Sequence, residues 1–151
     1  MRLSLGAGLA GIAVGLLGAT GATAAPSCAA TLSPADESAM TALINAERVA
    51  TGVKKVTTNA TLRKAGRSQS MAMARGARFA HTTPLAWANG RAAAQNIAYA
   101  PSTTEAFQAM MASPEHRANL LGPAFKQTGV GVARNCEGTL YFTVNLLAAA
   151  E

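Results

Sequence analysis

The sequence predicts a single α+β domain, and three observations carry that prediction. Capped segments with helical periodicity come first, between residue 33 and about residue 121, interrupted around 79–101. Period-2 alternation enters only late, in TGVGVA (128–133) and TLYFTVNLL (139–147). Between these halves there is no strand–helix–strand repetition of the kind that builds parallel sheets. At 151 residues the chain is long enough for one core. Half of it is hydrophobic but only 5% is aromatic, so closely packed helices rich in alanine are expected. No internal repeat, low-complexity tract or second domain is visible.

Residues 1–24 read as a secretory signal peptide. Arg2 is followed by an uncharged apolar run that ends in the small-x-small pattern Ala22-Thr23-Ala24. Residues 25–32 read as a linker, and 33–151 as the domain. Ser33-Pro34-Ala35-Asp36 marks a helix start, with Ser33 as N-cap and Pro34 at the first helical position. Met40, Leu43 and Ile44 share one face, and Gly52 is the stop. A second helix is expected from Asn59 to about Arg75, with Leu62, Ala65, Ala72 and Met73 facing inward. Pro84 and Gly90 break the pattern after it, leaving room for a helical turn around Arg91–Ala94. Ser102-Thr103-Thr104-Glu105 is a capping box, and the helix behind it offers Phe107, Met110 and Met111 as core filler. Ser113-Pro114 opens a short helix containing His116. Two strands then form an antiparallel hairpin around RNCEG, with Leu140, Phe142, Val144 and Leu146 on one face.

Export sets the chemical context: a secreted or periplasmic protein without a transmembrane anchor once cleaved. An even cysteine count in an exported chain predicts a bridge between Cys28 and Cys136. Two buried thiols are the other arrangement the count allows. Closing so long a loop stabilises by about 4 kcal/mol in the chain-entropy model. The net charge of +6 suits nucleic acid, anionic lipid or cell-wall polymer. Its densest group, Arg63, Lys64 and Arg67 with Arg75 and Arg78 beyond, falls at helical spacings without interleaved aromatics, which reads as a solvated helix face. That pattern and export together argue for no nucleic-acid partner.

In order along the chain stand LINAERVATGV (43–53), FAHTTP (79–84), AQNIAYA (94–100), SPEHRANLL (113–121), TGVGVA and LYFTVNL. This series resembles the CAP superfamily (cysteine-rich secretory, antigen 5 and pathogenesis-related 1 proteins), specifically its bacterial secreted, SCP-like branch. The resemblance implies an α-β-α sandwich with a small antiparallel sheet between helices. It also implies a cleft built around two histidines, which fall on His81 and His116. The Glu of the family's Gly-Glu-Asn-Ile-type motif falls on Gln95. A second family Glu falls near Ser113, with Met110 in the place of a helix Trp. Both acidic partners are thus absent.

A neutral imidazole pair is a weak site for a divalent cation such as zinc, with Gln95, Ser113 or water completing the shell. The helix-start position favours a neutral ring at His116. There is no HExxH and no phosphate-cradling glycine loop. The only aspartate, Asp36, belongs to a helix start, so no Ser-His-Asp triad can be assembled. Trp87 either packs over the cleft or lines it. Asn96, Arg117 and Asn119 are expected to brace loops. The expected function is a monomeric, non-enzymatic binding module for a lipid, a cell-envelope polymer or a protein, requiring no cofactor. The alternative is a metal-assisted hydrolase, of peptidase or esterase type, using His81 and His116.

Overall fold

A computed structural model describes residues 28–83 and 85–150; the expected signal peptide lies outside them. Helix α1 spans Pro34–Ala50, with Pro34 at its start and acidic Asp36 and Glu37 in its first turn. Ser33 occupies the N-cap position, but its hydroxyl makes no cap bond and donates to the Asp36 carboxylate instead. Asp36 also accepts from Thr103 Oγ1 at 2.6 Å and from Arg134 Nη2 at 3.4 Å. Partial burial pushes the Asp36 carboxyl up, but the Ser33 and Thr103 hydroxyls and the Arg134 charge outweigh it and hold the group below its ordinary value. One side chain thus joins the start of α1 to the later elements that carry Thr103 and Arg134. The chain leaves α1 through Gly52, whose φ of +78° a side chain would strain.

Helix α2 spans Ala60–Ala74 and is capped by Asn59, whose Oδ1 accepts from the Thr61 and Leu62 amides. The sheet begins with two short strands, β1 at Thr31–Leu32 and β2 at Thr57–Thr58. A 3-10 turn at Ala86–Ala88 precedes strand β3, Ala93–Ala100. Helix α3 spans Thr103–Ala112, with Ser102 accepting from the Glu105 amide as the capping box predicts. Helix α4 spans Pro114–Leu121. Ser113 sits at its N-cap position without a side-chain cap bond. Strands β4, Phe125–Arg134, and β5, Leu140–Ala148, form the expected antiparallel hairpin. The Asn135 side chain closes the turn by accepting from the Glu137 and Thr139 amides.

The sheet runs β1-β4-β5-β3. Strand β2 pairs in parallel with β4 at the same edge as β1. α1, α3 and α4 cover one face and α2 the other, so β5 is buried on both sides. Leu140, Phe142, Val144 and Leu146 enter the main core beside Met40, Ile44, Met110 and Leu120. Thr143, Asn145 and Leu147 are equally buried under α2.

Four expectations change. The linker assigned to 25–32 includes β1, which pairs with Ala133 and Arg134. The helical turn assigned to Arg91–Ala94 is the approach to β3: an alanine run with good helix propensity is drawn into the sheet by pairing with β5. The sheet carries one parallel pair in addition to its antiparallel ones. The inner face of α2 is Leu62, Gly66, Ser70 and Met73, with Ala65 and Ala72 only half-buried on its flanks. Gly66 is there for space. A Cβ on Gly131 would stand 2.0 Å from the Gly66 carbonyl carbon, and one on Gly129 2.1 Å from the Arg63 amide nitrogen. Helix and strand meet backbone to backbone, which glycine alone allows.

The buried stripe of α1 also differs from expectation: it includes Glu37 and Arg48. Arg48 has no exposed surface and meets no carboxylate among the described residues. Its guanidinium donates to the carbonyls of Lys54, Leu120, Gly122 and Phe125, at 2.7–3.1 Å. Burial lowers its pKa, but an arginine stays charged. Four carbonyl dipoles, two of them at the end of α4, take the place of a counter-ion. Cys28 and Cys136 are bridged, with Cα atoms 5.6 Å apart, tying the segment that leads into β1 to the hairpin turn.

Candidate functional site

Strand β3 is the free edge of the sheet, and an open recess of about 430 Å³ runs along it. His81, Thr82 and Leu85 form one wall, Ala93, Ala94 and Gln95 the floor, and Asn119 of α4 the far side. His81 is exposed; Gln95 is buried. The structure therefore brings together two of the residues singled out from sequence. His116 is the third residue of α4, one helical turn before Asn119, and is half-buried. Ser113 is half-buried at the α3–α4 junction. Neither lines the recess; they belong to the helix that bounds it.

Gln95 is held at both ends of its amide. Its Oε1 accepts from the Thr82 amide at 2.9 Å and faces His81 Nδ1 at 3.2 Å. Its Nε2 donates to Asn145 Oδ1 at 2.9 Å, and Asn145 Nδ2 donates to the Leu62 carbonyl at 3.0 Å. A main-chain N–H can only donate and a main-chain carbonyl only accept. With Thr82 at one end and Leu62 at the other, the orientation of both amides is fixed. His81 Nδ1 therefore faces an acceptor and carries the proton in the neutral ring. Nε2 remains as a bare acceptor on the exposed side.

A second relay holds α4. Asn96 Nδ2 donates to the His116 carbonyl at 2.9 Å, and Asn119 Nδ2 donates to Asn96 Oδ1 at 2.9 Å. Asn96 is fully buried; expected to brace a loop, it braces helix α4 instead, through the His116 carbonyl. Trp87 packs with Leu85, Ala88 and Ala93 on Leu62 and Leu147, behind the recess wall. Sequence reasoning missed Asn145 and Leu85. Asn145 carried a usable signal: a polar residue in the middle of a strand that is otherwise buried on both faces needs a partner.

A divalent cation such as zinc, expected from the imidazole pair, does not fit these residues well. Gln95 Oε1 is already engaged by an N–H on each side, and an amide is a poor zinc donor. Among the described residues no three His, Cys, Asp or Glu side chains converge as a metal would require. A second recess, about 300 Å³, lies between α1 and the start of α2 over Val130. Its Glu37 is committed to Arg67 through bonds of 2.8 and 2.6 Å, which raise the Arg67 pKa.

Residues 41–146 match the model of CAP, the cysteine-rich secretory protein family. Among solved structures, an outer surface protein from Borrelia burgdorferi superposes with a TM-score of 0.70 at 13% identity, covering 79% of this chain and 96% of that one. An extracellular protein containing an SCP domain from Bacillus anthracis gives 0.65 at 21% identity, over 76% of this chain and 41% of that one. A cysteine-rich secretory protein from Staphylococcus aureus gives 0.64 at 21% identity, over 77% and 39%. At these identities the likeness is one of fold, and the match spans about two fifths of the latter two proteins. No curated protein matches the sequence.

Proposed function

The chain belongs to the CAP family of cysteine-rich secretory proteins, and from that premise we propose that it is an extracytoplasmic binding module whose ligand is taken at the recess beneath His81. The location rests on the disulfide, which persists in oxidising compartments, and on the extracellular and outer-surface descriptions of the proteins that share the fold. No helix among the described residues is long and apolar enough to cross a membrane. The ligand is an envelope component, lipid or polymer fragment, that offers a hydrogen-bond donor to His81 Nε2.

The observation that carries the reading is the double anchoring of Gln95. A hydrolase at this recess needs a base to take a proton from water, or a metal to acidify it. Gln95 stands where the resemblance places an acid; it is neutral, and its oxygen is already engaged by Thr82 and His81. What remains is the neutral ring of His81, a base with no carboxylate behind it, an amide on Asn119 and apolar surface from Leu85 and Ala93, which suits a binding site better than a hydrolase. Zinc binding is accordingly expected to be weak. Gln95→Glu supplies a carboxylate and should tighten it, while losing the bond to Asn145 Oδ1 and some stability.

The test is a titration of ¹⁵N-labelled protein with vesicles of phosphatidylglycerol and phosphatidylethanolamine, and separately with soluble peptidoglycan fragments. Shifts centred on Thr82, Gln95 and Asn119 that vanish in His81→Ala support the reading. Hydrolysis of a chromogenic ester or peptide by wild type, lost in His81→Ala, would contradict it.

A further inference from the structure

Both tyrosines of the chain and one of its four phenylalanines meet on the surface. Tyr99 on β3 lies directly opposite Tyr141 on β5. Their ring centroids are 6.0 Å apart and the planes are tilted by only 33°. Phe79 stands edge-on at 89° to Tyr99, with centroids 5.2 Å apart. Tyr99 is 61% exposed and Phe79 43%, in a chain that exposes few large apolar side chains among its described residues. Strand alternation puts Tyr141 on the same face as Thr143 and Asn145, the face covered by α2. That helix ends at Ala74, and Tyr141 is half-exposed. A ring cluster of this kind in water needs an explanation, because core formation gains nothing from it.

Charge gives the second observation. Between Glu47 and Glu105 the chain has no acidic residue, yet it carries nine of the thirteen Lys and Arg. Arg48 is buried and Arg67 is paired with Glu37. Lys54, Lys55, Arg63, Lys64, Arg75 and Arg78 are exposed. Arg75 caps the end of α2, and Arg78 directly precedes Phe79. Glu137 lines one recess with Arg75, so the cation that directly adjoins the aromatic cluster is Arg78.

We propose that this surface binds an anionic polysaccharide, a chain of hexopyranose units carrying carboxylates. A pyranose has apolar C–H faces and hydroxyl edges. Two neighbouring tyrosines, tilted by 33° to each other, offer ring faces on which such C–H faces stack, with phenol hydroxyls to meet the sugar hydroxyls. Phe79 closes one end. The guanidinium of Arg78 matches a carboxylate in geometry and charge, and the net charge of +6 draws in a polyanion at a rate that salt suppresses. The site is separate from the His81 recess and does not depend on it.

The test uses the exported chain in calorimetry, with oligogalacturonate as the probe and an uncharged galactose oligomer beside it. Oligogalacturonate should bind, more weakly as NaCl rises, and the neutral oligomer at least about tenfold more weakly. Tyr99→Ser should weaken binding by roughly tenfold or more, Tyr99→Phe far less. Arg78→Gln should weaken it and flatten its salt dependence, while His81→Ala leaves it unchanged. Equal unfolding midpoints for wild type and the Tyr99 variants show that folding is intact, and Arg78→Gln is an independent arm on an exposed side chain. The proposal is overturned if wild type does not bind oligogalacturonate, if the neutral oligomer binds equally, or if Tyr99→Ser binds as wild type does. Loss in His81→Ala alone would move the glycan to the recess, overturning this site and leaving the recess reading intact. Self-association or binding to anionic vesicles abolished by Tyr99→Ser, without glycan binding, would overturn it too and make the patch a protein or membrane contact.

Discussion

Replacing Gly131 by alanine should destabilise the fold well beyond what an added methyl group usually costs. The added carbon would stand 2.0 Å from the Gly66 carbonyl carbon and 2.1 Å from the Arg67 amide nitrogen. Ordinary carbon contacts are about 3.5–4 Å, so α2 must lift from β4 by roughly 1.5 Å, since neither backbone can rotate away. Lifting separates Ser70 Oγ from the Gly131 carbonyl, now 2.8 Å, and from Thr143 Oγ1, now 2.9 Å. A buried polar group left unpaired costs about 1–3 kcal/mol. Leu62 and Met73, both nearly inaccessible, lose part of a burial worth about 1.5–3 kcal/mol each. The expected loss is about 3–5 kcal/mol, above the usual range for overpacking. Gly138→Ala is the control: nothing lies within 4 Å, but φ is +89°, so only backbone strain of about 1 kcal/mol applies. Urea denaturation of both variants, followed by circular dichroism without reductant, measures the difference. If Gly131→Ala costs no more than Gly138→Ala, the close backbone approach is not what holds α2 in place.

Replacing Cys28 and Cys136 by serine should lower stability by about 2–4 kcal/mol in the same assay, because the bridge joins residues 108 apart in sequence. Arg48→Met should cost about 3–5 kcal/mol, since it strips four carbonyls of their donor; Arg48→Lys should recover only part, an ammonium being unable to span all four. The Asp36 carboxyl is held below its ordinary value in the fold, so its contribution is present above about pH 4, the unfolded value, and is lost as pH falls through the folded one. Stability measured against pH should therefore fall less steeply below about pH 4 in Asp36→Asn than in wild type.

What is legible in the sequence is local chemistry. Ser102 caps the helix it is expected to cap, α2 begins beside Asn59 as expected, and the alternation of LYFTVNL places β5 correctly. Strand β3 is not legible, because its start is an alanine run and its buried residues include Gln95 and Asn96, whose partners are distant in sequence. Glu37 and Arg48 fall on the same stripe as Met40 and Ile44, but charge argues for solvent; only the fold brings Arg67 and the carbonyls around Leu120 to meet them. The alternate glycines of TGVGVA are a readable sign of close backbone approach, although nothing local says that Gly66 is the other half. At the recess, His81 and Gln95 are reached through the family resemblance. The relay from Leu62 through Asn145 that orients Gln95 depends on the packing of α2 and can come only from the structure.

That relay is the centre of the account, and it makes a claim about one proton. Gln95 serves as a fixed acceptor, so neutral His81 carries its proton on Nδ1 and presents Nε2 to the recess. A long-range ¹H–¹⁵N correlation spectrum of the histidine rings, recorded at a pH where His81 is neutral, reads this directly. The account predicts a pyrrole-type Nδ1 and a pyridine-type Nε2 for His81, and loss of that preference in Gln95→Ala. A wild-type His81 protonated on Nε2 would contradict it, because the ring would then offer the recess a donor and Gln95 would not be holding it.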